Sequence, residues 1–312
     1  MNGMLLAAGH GERMEPLSSW VPKPALDVLG RPLLACALDQ LVAAGCDPLV
    51  VNTHRHAARL EEAVRAAAPS GHGAVRLSPE PELLGSAGGI SRARPLFSAG
   101  GVLAANADVW SDLDLAPLLA AERDDAVVLG LVPHPDPQRW TSVRLEEDGT
   151  VSGFVPAAGP ADARAFLFTG FQLLGSGVVA SLPAPPAEMP AVWRGLLRRG
   201  SLRGVVLTGS WREAGTPLAY YELVRSLLSG RAWAHARAAV DPSARLAGSA
   251  VSAGCHVGAG AVLDGCVVTA GATVGPGCVL HDCLVFGPVT LGAGASWRRR
   301  ILLPGFEAPL GD

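Results

Sequence analysis

The stretches VGAGAVLDGCVVTAGAT (257–273) and VGPGCVLHDCLVFGPVT (274–290) decide the architecture of the second half of the chain. Laid one above the other, they agree at Val257/Val274, Gly258/Gly275, Gly260/Gly277, Leu263/Leu280, Cys266/Cys283 and Val268/Val285. Outward from this pair, aliphatic residues recur at Val240, Leu246, Val251, Val257, Leu263, Val268, Val274, Leu280, Val285 and Leu291, in steps of five or six. Every three steps close on 17 residues, so positions 240, 257, 274 and 291 are predicted to stack. The same holds for 246, 263 and 280, and for 251, 268 and 285. A short repeat cannot bury its apolar side chains alone and does so against the next copy. Three short strands per 17 residues make a three-sided prism, a β-helix of hexapeptide-like repeats. Gly258, Gly275 and Gly292, and Gly260, Gly277 and Gly294, recur in the same register and suit tight corners.

Before about residue 233 the pattern is different. Apolar runs at Met4–Ala8, Leu49–Asn52, Val102–Ala105, Ala126–Val132, Phe166–Leu174 and Arg203–Leu207 read as strands. Between them lie predicted helices at Pro32–Ala44, His56–Ala68, Ser86–Leu96, Leu113–Arg123, Ala191–Arg199 and Pro217–Ser229. Near-continuous apolar strands alternating with helices imply an α/β fold, a Rossmann-like, mostly parallel sheet covered on both faces. Asp148-Gly149 between two short apolar runs predicts an antiparallel hairpin. Pro156–Asp162 and Pro183–Pro190 read as loops without a chemical signature. The expected organisation is residues 1–232 as one domain and 233–312 as the other.

Composition narrows the function. The 312 residues carry 25 Lys and Arg against 28 Asp and Glu, a net charge of −3, which argues against a nucleic-acid or anionic-membrane binder. Hydrophobic residues make up 49% and charged ones 17%, so a sizeable core is expected and disorder is excluded. No apolar run approaches the roughly 18 residues of a membrane span, and Met1–Gly11 lacks the pattern of a signal peptide. The six cysteines form no CxxC pair; buried free thiols in a reducing, cytoplasmic setting are expected.

The motif richest in chemistry is LLAAGHGERMEPL (5–17), followed by Pro22-Lys23-Pro24. A buried strand runs into Gly9-x-Gly11, where backbone N–H groups can approach an anion without a Cβ in the way. Arg13 and Lys23 add fixed positive charge, which suits a polyphosphate at the carboxyl edge of a parallel sheet. The glycines alone are equally compatible with a plain tight turn.

Residues 5–56 resemble the N-terminal signature of the sugar-1-phosphate nucleotidylyltransferases. The likeness continues through Pro32-Leu33-Leu34, Ala44-Gly45, Val50-Val51-Asn52-Thr53-His54, Leu84-Gly85-Ser86-Ala87-Gly88-Gly89, Asn106-Ala107-Asp108, Phe168-Thr169-Gly170 and Trp211-Arg212-Glu213-Ala214-Gly215-Thr216-Pro217. A C-terminal left-handed β-helix is also a habit of this family, notably of its mannose-1-phosphate guanylyltransferase branch.

The resemblance implies attack of a sugar 1-phosphate on the α-phosphorus of a nucleoside triphosphate, with pyrophosphate leaving. Joining two anions makes positioning and charge neutralisation the main tasks. By resemblance, Arg13 with Gly9 and Gly11 holds the β- and γ-phosphates, and Lys23 neutralises the α-phosphate. Asp108 and Glu213 are the implied Mg²⁺ ligands, with a helix N-cap as the alternative role for Asp108. Ala8 and Gly85 let the base lie against backbone. Glu80 occupies the base-contacting slot, where an acceptor-only carboxylate suits guanine and hence GTP, or is a solvated loop residue. Asn106, Thr169, Gly170 and Thr216 are the implied sugar-phosphate contacts, with strand-end capping as their alternative. Assembly into a homo-oligomer through the β-helix is expected, with no nucleic-acid or membrane partner.

The chain departs from the family at three places. Glu12 stands where a threonine is usual, and Glu213 where an aspartate is usual. Phe154-Val155-Pro156-Ala157 replaces a charged Glu-Lys-Pro segment, leaving Arg164 as a candidate substitute. These departures open a second reading, a paralogue that binds nucleotide sugar and regulates a partner enzyme. An acyltransferase using His256 or His281 of the coils is the least favoured reading.

Overall fold

The computed structural model describes residues 1–68, 75–133, 140–157 and 164–311. Most of the Pro156–Asp162 loop lies outside them. The chain divides into two compact units, residues 1–10 with 34–212, and residues 11–33 with 213–312. The second unit thus takes in an early segment and the Pro217–Leu228 helix together with the coils, a grouping different from the division at 232/233 expected above.

In the first unit the strands Asn2–Leu6, Leu49–Thr53, Arg76–Pro79 and Val102–Asn106 pair in parallel, with Asn2–Leu6 flanked by Leu49–Thr53 and Val102–Asn106. The ten-residue strand Ala165–Leu174 runs antiparallel to Val102–Asn106, Val127–Pro133 and Ser142–Leu145. Val127–Pro133 in turn pairs in parallel with Leu202–Val206. The expected hairpin is present, with Ser142–Leu145 against Val151–Val155.

Period-two alternation divides the core. Leu5, Leu49, Val51, Leu103 and Ala105 join the Leu34–Ala43 and Ala57–Ala67 helices. Met4, Val50, Val102 and Ala104 join the Gly85–Ala93 and Met189–Leu197 helices. Successive strand residues point to opposite faces, so both faces must be apolar once helices cover both. The helix expected over Leu113–Arg123 is reduced to Ala116–Ala120, and a helix at Ser176–Ser181 was not expected.

In the second unit the coils follow the 17-residue register without a slip. Val240 pairs with Val257, Val257 with Val274, and Val274 with Leu291. Leu246, Leu263, Leu280 and Trp297 form a second column, and Ala234, Val251, Val268, Val285 and Leu302 a third. All these pairs are parallel. An antiparallel hairpin, Arg300–Leu303 with Phe306–Pro309, closes the stack. The six cysteines are unbridged, and all but Cys36 are buried. Among the described residues no helix is long and apolar enough to cross a membrane.

Candidate functional site

In the first unit a cavity of about 570 Å³ opens beside the end of the first strand. Ala8, Gly9, Glu80, Gly85 and Asn106 all line it. Gly9 is exposed, and nothing lies within 4 Å of where its Cβ would be. The Asn52 Oδ1 accepts from the Ala7 N–H at 2.7 Å, which fixes the strand end before the glycine.

Glu80 is placed at this cavity but is occupied within the protein. Its side chain is 4% exposed. Its Oε1 accepts from Asn52 Nδ2 at 2.7 Å, and its Oε2 from the Leu84 N–H at 3.1 Å. Its carbonyl lies 2.8 Å from His54 Nδ1. A relay therefore runs from Glu80 through Asn52 to Ala7. Gly89 makes room for it, since a Cβ there would lie 2.7 Å from Glu80 Oε1 and 2.8 Å from Asn52 Nδ2.

A further part of the lining is Pro186, Ala187 and Glu188, in a loop whose sequence carries no chemical signature. The Ala187 N–H donates to the Leu84 carbonyl at 2.8 Å, and the Ala187 carbonyl accepts from the Gly88 N–H at 2.9 Å. Glu188 Oε2 accepts from the Ser86 N–H at 3.0 Å and the Ser86 hydroxyl at 2.6 Å. A carboxylate at a helix N-terminus satisfies open N–H groups and suits the helix dipole. Gly85, with φ +74°, has no room for a Cβ, which would meet the Ala187 carbonyl at 2.5 Å. Asn52, Ser86, Ala187 and Glu188 were missed as lining residues. For Asn52 the signal was a polar residue inside the quoted Val50–His54 segment; for Ala187 and Glu188 there was none.

The implied sugar-phosphate contacts take different roles. Asn106 lines the cavity, and Gly170 (φ +91°) packs on it, a Cβ there being 3.1 Å from Asn106 Cβ. Thr169, expected as a ligand contact, is 0% exposed. Its hydroxyl donates to the Gly130 carbonyl at 2.8 Å and accepts from the Phe171 N–H at 3.2 Å. Those bonds spend it on bracing the long strand. Asp108 is half-buried in the turn after Val102–Asn106. Arg164, the candidate substitute cation, is half-exposed and pairs with Glu146 at 2.7 Å. Where the family carries Glu-Lys-Pro, Phe154 instead stacks on Trp193, with ring centroids 6.2 Å apart.

The second unit holds Arg13, Lys23 and Glu213. Gly11 takes φ +68° and opens the short helical turn Glu12–Met14. A Cβ on Gly11 would lie 3.7 Å from Lys23 Cβ. Glu213 Oε1 accepts from Arg13 Nη2 at 2.9 Å and lies 4.0 Å from Lys23 Nζ. The side chains of Lys23 and Glu213 are 11% and 16% exposed, that of Arg13 65%. One carboxylate thus gathers both cations. Glu12 is exposed, and the carboxylate on Arg13 is that of Glu213. Thr216 caps the Pro217–Leu228 helix, its Oγ1 accepting from the Ala219 N–H at 3.2 Å. That is the capping role left open above.

Nearby in this unit, burial raises the Asp27 carboxyl above its ordinary range, partly offset by hydrogen bonds from Ser252 and the Gly30 N–H and by the charge of His235. Burial also pushes the Tyr220 hydroxyl well up, and the Asp27 charge adds to it.

The family described as Nucleotidyl transferase matches residues 2–230. The N-acetylmuramate alpha-1-phosphate uridylyltransferase of Neisseria meningitidis serogroup B is 34% identical over 227 residues, covering 69% of this chain and 94% of that protein. The mannose-1-phosphate guanylyltransferase of Mycobacterium tuberculosis is 29% identical over 290 residues, 85% of this chain and 78% of that one. The crystal structure of HddC from Yersinia pseudotuberculosis superposes with a TM-score of 0.62 at 21% identity, over 72% of this chain and 99% of that one. At that identity the likeness concerns the fold.

Proposed function

The chain belongs to the nucleotidyl transferase family, and on that premise we propose that it transfers a nucleotidyl group from a nucleoside triphosphate to a sugar 1-phosphate, releasing pyrophosphate. The observation that carries this reading is the cavity of about 570 Å³ floored by Ala8 and Gly9 and bordered by Gly85. Its wall is already braced by internal hydrogen bonds, so little ordering is needed when a nucleoside enters. The open space over Gly9 lets a ligand come against the backbone.

Arg13 and Lys23 are the phosphate-neutralising groups of this reading, Lys23 at the α-phosphate. A tightly held cation near the reacting phosphorus offsets charge that would otherwise oppose attack. Both cations rest on Glu213. Binding a polyanion therefore means that phosphate oxygens compete with that carboxylate.

Mg²⁺ belongs to the same proposal. Among the described residues no group of three His, Cys, Asp or Glu side chains could cage a metal ion. Mg²⁺ commonly takes one or two carboxylates and completes its shell with phosphates and water, and Asp108 and Glu213 fit that donor chemistry. The ion would supply charge neutralisation at the phosphates.

The preference for guanine expected from Glu80 has less support, because each carboxylate oxygen already accepts a hydrogen bond, one from Asn52 and one from Leu84. UTP is proposed first as the donor, on the support of the 34% identical uridylyltransferase relative. Self-association through the coils and a cytoplasmic site of action complete the proposal; sedimentation of the full chain tests the first.

The second reading, nucleotide-sugar binding without turnover, is favoured by one observation: the Phe154–Ala157 segment carries neither charge of the Glu-Lys-Pro that the resemblance implies there, and its Phe154 stacks on Trp193. One assay separates the two. The full chain is incubated with Mg²⁺, each nucleoside triphosphate and a panel of sugar 1-phosphates that includes N-acetylmuramate and mannose, and pyrophosphate is measured. Release that vanishes in Lys23→Ala and Asp108→Ala supports the transferase. Binding of a nucleotide sugar with no release from any pair supports the regulator.

A further inference from the structure

Residues 11–33 belong to the same compact unit as the coils, so the segment bearing Arg13 and Lys23 is built onto the β-helix. The attachment is a socket around one turn. Asp27–Val28 and Arg31–Pro32 form a small antiparallel hairpin. At its tip Gly30 adopts φ +88°, and a Cβ there would lie 3.2 Å from His235 Cδ2 and 3.4 Å from the Trp233 ring. Only glycine lets this turn seat against those two rings without strain.

Asp27 is held from three directions. Its Oδ1 accepts from the Gly30 N–H at 2.9 Å. Its Oδ2 accepts from the Ser252 hydroxyl, and its carbonyl from the Tyr220 hydroxyl at 2.5 Å. Ser252 follows the coil strand Ala250–Val251, which pairs with Trp233–Ala234. Tyr220 is fully buried in the Pro217–Leu228 helix, and its N–H donates to the carbonyl of Thr216 at 2.9 Å, three residues after Glu213.

The path from this clamp to the cation is short and stiff. Lys23–Ala25 is a single helical turn. The Leu26 N–H donates to the Lys23 carbonyl at 3.2 Å, and Leu33 N–H to the Leu26 carbonyl at 2.8 Å. Prolines 22 and 24 flank the lysine and fix its φ neighbourhood, and Leu26 is 1% exposed. Displacement of Asp27 has few bonds in which to dissipate before it reaches Lys23.

We infer that Ser252 and Tyr220 are positioning residues for the transfer reaction: by clamping Asp27 they fix the Lys23 ammonium, which makes the coils part of the catalytic apparatus. The inference rests on the reading of Lys23 as the group that neutralises the α-phosphate. A charge acting on the reacting phosphate matters more in the transition state than in the ground state, so a loosened Lys23 lowers kcat more than it raises KM.

The test uses the full chain and four variants: Ser252→Ala, Ser252→Thr, Tyr220→Phe and Lys23→Ala. Threonine fits this coil position, because Thr269 occupies the equivalent place 17 residues on, where its Oγ1 accepts from the Gly287 N–H at 3.1 Å. Pyrophosphate release is measured with Mg²⁺, UTP and N-acetylmuramate 1-phosphate, or with GTP and mannose 1-phosphate if that is the pair turned over. Ser252→Ala and Tyr220→Phe are expected to lose about tenfold in kcat, the scale of a sub-ångström misplacement, with KM for the triphosphate within about twofold. Ser252→Thr restores the rate. If Ser252→Ala does not fold, Tyr220→Phe decides. With Lys23→Ala inactive, wild-type kcat in the folded Ser252→Ala and Tyr220→Phe proteins overturns the inference and leaves the function standing. Wild-type turnover in Lys23→Ala removes the role of Lys23 at the α-phosphate and with it the inference, whereas no release from the wild-type chain with any pair overturns the function reading itself.

Discussion

Two carboxylates organise the two units, and they do opposite work. Glu80 meets only neutral donors, an amide and a backbone N–H, and is 4% exposed. Glu213 meets two cations at 2.9 and 4.0 Å, one of them largely exposed. The first is a brace whose loss strands buried donors. The second is a counter-charge that a polyanion can displace. The contrast teaches that a carboxylate beside a candidate site is not thereby a ligand group; its partners decide.

The largest expected effect breaks the brace. Glu80→Ala leaves the Asn52 Nδ2 and the Leu84 N–H without their acceptor inside the protein. It should cost about 3 kcal/mol in chemical denaturation, the sum for one buried and one half-buried donor left stranded. A loss below about 1 kcal/mol would mean that water replaces the carboxylate and the wall is not a brace.

Next come two glycines of the same cavity that should behave differently. Gly85→Ala forces a Cβ to within 2.5 Å of the Ala187 carbonyl at φ +74°, and about 2 kcal/mol of destabilisation is expected from strain alone. Gly9→Ala adds a methyl to open space, so stability should change by less than about 0.5 kcal/mol. The KM for the triphosphate should nonetheless rise severalfold, because the methyl enters the volume assigned to the nucleotide. An unchanged KM would remove Gly9 from the site.

Glu213→Gln tests the other carboxylate. With Arg13 65% exposed, solvent screening leaves the pair worth less than about 1 kcal/mol of stability. Removing the negative charge should strengthen binding of inorganic pyrophosphate in EDTA by about threefold or more, read by calorimetry. Weaker binding would show that Glu213 organises the cations rather than competing for them.

The smallest effect lies in the socket of Asp27. Burial raises this carboxyl's pKa in the folded state, so folding favours the protonated form. Its contribution is therefore greatest below the unfolded pKa and falls as pH rises through the folded one. Asp27→Asn removes that dependence, and the unfolding free energy measured across the acid range should decline less steeply with rising pH. An unchanged slope would place the titration elsewhere.

The same contrast explains what was legible in the sequence. The coils were readable to the residue because each neighbour sits one period away, so spacing alone set pairs such as Val257 with Val274. The buried parallel strands were readable because Leu49, Val50 and Val51, and Val102, Leu103, Ala104 and Ala105, are unbroken apolar runs. Arg76–Pro79 escaped notice because it mixes arginine, serine and proline. At the site, the glycines and cations stood in quoted motifs, yet their partners did not. Ala187 bonds to Leu84 and Gly88, about a hundred residues away, and nothing in a Pro/Ala-rich loop encodes that. Glu80 was read for what a carboxylate can accept, whereas its role depends on Asn52, 28 residues earlier in the chain. Nor does any period tie Asp27 to Ser252, although that bond places the lysine segment with the coils.

The proposed transfer requires a nucleotide in the cavity at Ala8, Gly9, Gly85 and Ala187. Hydrogen–deuterium exchange on the full chain with and without UTP and Mg²⁺ tests it without requiring turnover. Slowed exchange in the peptides covering residues 8–10, 84–88 and 186–188, with the outer coil strands unchanged, is the predicted result. Unaltered exchange in all three segments at a saturating nucleotide concentration would contradict it.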